Sequence, residues 1–94
     1  MTNVEKEKQL YEQIEERLKR LDNIKVLARN KNARAFIIQK KPYNANKTSY
    51  YQLMIMNPSW ITFDYSSASV GKTIQTWSNE NATVSNVIRY LREL

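Results

Sequence analysis

Two stretches of this chain carry residue types whose spacing could do chemistry. The first is "SSASVGKT", residues 66–73, which ends in Gly71-Lys72-Thr73 after an apolar lead-in. That ending is the tail of the G-x-x-x-x-G-K-[ST] phosphate loop, whose backbone N–H groups wrap phosphates while its Lys and Thr reach phosphate and magnesium. Ser66 stands where the signature needs its first Gly. The residues that follow, Ile74-Gln75-Thr76-Trp77, alternate like a strand instead of opening the helix such a loop requires. Asp64, the nearest carboxylate, precedes the loop on its own strand and not on a neighbour. The segment reads as a hairpin connection using the only Gly in the chain.

The second stretch is basic and interleaved with tyrosine. Between residues 17 and 47 ten cations face the single acid Asp22, a balance of +9. Residues 1–16 sum to −3 and the rest cancels, which gives the net +6. Such a concentration is the electrostatic footprint of a polyanion binder. Lys25, Arg29, Lys31 and Arg34 fall on the first expected strand and its turn. Lys40, Lys41 and Lys47 flank the next loop, with Tyr43 and Tyr50 among them. Cations of this kind meet phosphates and the phenol rings offer stacking platforms for unpaired bases, so single-stranded nucleic acid is favoured over duplex. A solvated basic face is the plain structural alternative.

Other chemistry is poorly supplied. The chain has no Cys and no His, which excludes disulfides, Cys/His zinc sites and any imidazole or thiol mechanism. Outside residues 1–22 the carboxylates Asp64, Glu80 and Glu93 are far apart, and no base accompanies Ser66, Ser67 and Ser69. A non-enzyme without cofactor is the expectation. No apolar run approaches a membrane span and the charged start does not resemble a signal peptide, so a cytoplasmic protein is expected.

The elements that must position these residues follow from periodicity. Ninety-four residues with 41% hydrophobic content make one small domain. Thr2 and Glu5 form a capping box. Val4, Tyr11, Ile14, Leu18 and Leu21 then give one apolar helix face ending near Asp22-Asn23. That stripe also offers a coiled-coil homodimer, although its a/d spacing holds for under three heptads. The period next falls to two. "IKVLARN", "ARAFIIQKK", "SYYQLMIMN", "WITFDY" and "KTIQTW" read as strands, broken by "KPYNANK", by Asn57-Pro58-Ser59 and by the Ser-rich bend. In the first of these, Ile24, Val26 and Ala28 alternate against Lys25, Leu27 and Arg29. Trp60 and Trp77, near the outer ends of the last hairpin, are expected to meet across it. Residues 82–93 form a final helix with Asn81 or Thr83 as cap.

The expected fold is therefore α+β, an N-terminal helix, an antiparallel sheet of four or five strands and a C-terminal helix, with both helices on one face. Tyr50 and Tyr51 must point to opposite faces, and Met54 and Met56 share the face of Tyr50. The order invites comparison with double-stranded RNA-binding domains, which it resembles only in outline. The final helix there begins with lysines that grip phosphates, whereas "SNENATVSN" carries Glu80 and no lysine. The functional expectation is a small nucleic-acid-binding accessory protein. The alternative is an interaction module or inhibitor, of the size found in phages and mobile elements, docking through an acidic surface of a nucleic-acid-handling protein.

Overall fold

A computed structural model describes residues 2–40, 50–66 and 71–94. Helix α1 (Asn3–Leu18) starts where the Thr2 hydroxyl accepts the Glu5 N–H at 3.2 Å, as the capping box requires. Five strands follow, β1 (Ile24–Asn30), β2 (Ala35–Lys40), β3 (Tyr50–Asn57), β4 (Trp60–Ser66) and β5 (Gly71–Ser78). A single 3₁₀ turn at Asn79–Asn81 leads into helix α2 (Val84–Arg92). Its cap is Thr83, whose hydroxyl accepts the Asn86 N–H at 3.2 Å. The sheet is an antiparallel meander in the order β1-β2-β3-β4-β5, so β3 is central and β1 and β5 are its edges. No described helix is long and apolar enough to cross a membrane.

Both helices pack on the same sheet face. Tyr11, Ile14 and Leu18 of α1 and Val87, Ile88 and Leu91 of α2 close over Phe36, Ile38, Leu53, Ile55, Ile61, Phe63 and Trp77, all buried. The cross-strand register explains this set, since Phe36 lies opposite Leu53, Leu53 opposite Phe63, and Ile61 opposite Trp77. Residues paired across a ladder share a face, so one inward choice fixes its neighbours. Burial of Tyr11, Ile14 and Leu18 under the sheet takes up the α1 stripe that a coiled coil would need. Val4, at 65% exposed, lies outside it.

The core face is unusually aromatic. The Tyr11 ring stacks on Phe36 at 4.6 Å and Tyr51 on Phe63 at 5.0 Å. Tyr90 of α2 meets Phe63 and Trp77 edge-on at 5.6 and 5.5 Å. Such offset and edge contacts add to the area these rings bury. Burial raises the Tyr11 phenol above its ordinary value, with the Glu15 carboxylate adding to the rise and Arg29 and Arg34 opposing it. Burial likewise raises Tyr51, helped by Tyr65 and Tyr90. The Asn23 amide, in the link from α1 to β1, donates to the Leu91 carbonyl at 2.8 Å and ties that link to the end of α2.

Two expectations fail for reasons of register. Trp60 lies opposite Ser78, one position from the Ile61–Trp77 pair, so the two tryptophans point to opposite faces. Trp77 is 5% exposed and Trp60 is 43% exposed. In β1 a bulge between Val26 and Ala28 inserts Leu27 as an extra residue and ends the alternation. Arg29 then sits opposite Phe36 on the helix-covered side, where its guanidinium pairs with Glu15 at 3.4 Å.

Candidate functional site

The face of the sheet away from the helices carries the side chains that the core does not use. Along β3 these are Tyr50, Gln52, Met54 and Met56, alternating with the buried Leu53 and Ile55. Register extends the same face to Ile37 on β2, opposite Gln52, and to Thr62 and Asp64 on β4. Thr76 and Thr73 continue it on β5, and Lys25 lies at the β1 edge opposite Gln39. Among the described residues no element lies over it. Met56 is 54% exposed, and Lys25, Thr73 and Thr76 are also exposed.

This face has two characters. At the end where β3 turns into β4, Met56 and Trp60 stand exposed, with Met54 half-buried next along β3. The turn between them is closed locally, the Asn57 side chain accepting the Ser59 N–H at 2.8 Å. Toward β5 the face is polar. The Thr73 hydroxyl donates to the Asp64 carboxylate at 2.7 Å, which leaves one anionic group on an otherwise neutral field of Gln and Thr. Gly71 opens β5 opposite Ser66, so a strand and not a helix follows Gly71-Lys72-Thr73.

The basic segment is divided by the fold. Lys25 and Tyr50 lie on the uncovered face, at the same end of the sheet as Lys40. Lys40 is exposed at the last position of β2, opposite Ile24. Arg29 is on the other face, held by Glu15. Lys31 and Arg34 belong to the β1–β2 turn, about 17 Å away by the length of β2. There the Arg34 guanidinium donates to the Lys31 carbonyl at 2.8 Å, and the Asn30 side chain accepts the Ala33 N–H. Arg34 has φ of 54°, a left-handed position that Gly or Asn usually takes. Lys41, Tyr43 and Lys47 lie outside the described residues.

The tyrosines divide as well. Tyr11, Tyr51, Tyr65 and Tyr90 all join ring contacts of the core face. Tyr50 alone among the described tyrosines is on the uncovered face. The residue missed in the sequence is Trp60. Its signal is present, because Ile61 and Phe63 face the core and alternation puts Trp60 outside. About 23 Å of sheet separates the rows of Tyr50 and Trp60, the length of β3. No protein-family model, curated protein or solved structure matches the chain.

Proposed function

We propose that this chain is a non-enzymatic protein that binds single-stranded nucleic acid across the uncovered face of its sheet. The observation that carries the reading is the segregation of both helices to one side, which leaves Tyr50, Trp60 and Lys25 on the other. Bases stack on the two rings, since every base has an aromatic face and the contact tolerates sequence. Gln52, Thr62 and Thr76 supply neutral donors and acceptors between them. Lys25 and Lys40 at one end and Lys31 at the other meet phosphates, while Arg29 and Arg34 add to the field. Lys41, Tyr43 and Lys47, which follow β2 in the sequence, belong to the same reading by their chemistry, as cations and a stacking ring.

The test is fluorescence anisotropy with labelled single- and double-stranded DNA and RNA. Single strands should bind best. For three phosphate contacts, affinity should fall about twentyfold between 50 and 200 mM salt. Absence of binding to every probe at low salt ends this reading.

A second reading has its own observation. Met56 and Trp60 are large apolar side chains left exposed at one end of this face, residue types enriched at protein interfaces, and Asp64 on the same face repels phosphate. A protein partner would then sit on this face, and a complex recovered from native extract would survive nuclease treatment.

A further inference from the structure

We propose that the edge of β1, beside α1, takes a short extended acidic peptide from a partner protein as an added sixth strand. Three independent features of this edge converge. β1 is terminal in the sheet, with no strand beyond it among the described residues, and a sheet edge offers unpaired backbone N–H and C=O groups. Between β1 and α1 there is a cleft of about 340 Å³, whose floor is Leu18, Ile24, Val26 and Phe36. Its rim carries the cations Lys19, at the C-cap of α1, and Arg29 of β1 against the one carboxylate of Glu15. Arg29 and Glu15 pair with each other, which leaves Lys19 as the net positive charge of the rim.

A peptide alternating acidic and apolar residues matches all three. Its backbone extends the ladder, one apolar side chain enters the cleft, and its carboxylates meet the rim. The bulge at Leu27 and the cations on β1 discourage indiscriminate edge pairing, so the short stretch Ile24–Val26 ahead of the bulge favours a short anionic strand over neutral or basic ones. The cleft opens on the helix-covered side of β1, apart from the uncovered face, and the proposal stands whichever ligand that face takes.

The experiment uses the full chain and a fluorescein-labelled peptide of alternating Glu and Val. Controls are the same peptide with Lys for Glu and a version N-methylated on alternate backbone nitrogens. Anisotropy should show binding of the acidic peptide only, weakened about tenfold or more by N-methylation, by Lys19→Glu and by Arg29→Glu. Lys72→Glu, on the opposite edge strand, should leave it unchanged. Amide NMR should place the shifts at β1 and the second half of α1, with slowed exchange at β1. Lys19 is exposed, so its variant keeps the test valid if Arg29→Glu unfolds. Equal binding of the Lys peptide, full binding of the N-methylated one, or shifts at β5 would each overturn the proposal. An unlabelled single-stranded oligonucleotide should leave the peptide bound; displacement from the cleft would mean one shared anion surface and would overturn the separate site.

Discussion

The two faces of this sheet are built by the same strands and have opposite fates. On β3, Leu53 and Ile55 are at most 3% exposed, whereas Met56, on the other side, is 54% exposed. The covered face concentrates its aromatic rings in mutual contact and has no buried charged group among the described residues. The uncovered face spreads its large side chains among Gln, Thr and one Asp. Packing accounts for the first distribution and not for the second. A Trp left in solvent contributes little to folding, so the contrast places the functional reading on the face where stability is least at stake.

The comparison is broken most severely from the covered side. Phe63 touches Tyr51 and Tyr90 and is fully buried, so Phe63→Ala should cost about 3–5 kcal/mol. In a domain this small that is a large share of the total, and urea unfolding should show a partly unfolded chain at 25 °C. Met56→Ala, the matching change on the uncovered face, should stay within about 0.5 kcal/mol. Similar losses at both positions would mean that the second face is covered in solution.

High pH attacks the same side without mutation. Tyr11 and Tyr51 both have phenols raised above the ordinary value of 10.0 by burial. Above pH 10 the unfolded chain loses these protons first, so unfolding is favoured as pH rises toward and through the folded values. Below 10 both states hold their protons and the contribution is fully present. The urea midpoint should therefore fall between pH 9 and 11, and less steeply in a Tyr11→Phe, Tyr51→Phe double variant. Equal slopes for the two proteins would remove this cause.

Trp60→Ala sharpens the comparison from the other side. Stability should change by no more than about 0.5 kcal/mol. Affinity for a single-stranded oligonucleotide should fall by about 1–3 kcal/mol, some five- to 150-fold in Kd. Tyr50→Ala should behave alike. A stability loss without an affinity loss would return Trp60 to a structural role.

Much of this contrast was legible in the sequence, and the exceptions have physical causes. "SYYQLMIMN" is apolar at both parities, which identifies a central strand, and "WITFDY" alternates cleanly. The helix stripes and the Thr caps announced their own positions. The bulge at Leu27 was not legible, because the cue for it lies in pairing with β2 and in Glu15 of another element, not in "IKVLARN" itself. The register that sends Trp60 and Trp77 to opposite faces belongs to the hairpin and not to either strand. The basic run was visible as composition, yet a meander distributes consecutive residues over two faces and two ends. For the same reason the neighbours Tyr50 and Tyr51 part, Tyr50 to the uncovered face and Tyr51 to the core rings.

The smallest effect concerns the residue that changed sides. Arg29 pairs with Glu15 at 3.4 Å across α1 and β1, with half of its side chain in solvent. Exposed pairs contribute about 0.2–1 kcal/mol, and salt screens them. Arg29→Gln should therefore lower stability by a few tenths of a kcal/mol at low salt and by less in 0.5 M NaCl. On the uncovered face it should leave the affinity loss caused by Trp60→Ala undiminished, because residues that share no partner act additively. A double-mutant cycle on oligonucleotide binding measures this directly. A coupling well above about 0.5 kcal/mol would mean that nucleic acid wraps the β1 edge and reaches both faces, and the division between them would no longer separate packing from binding.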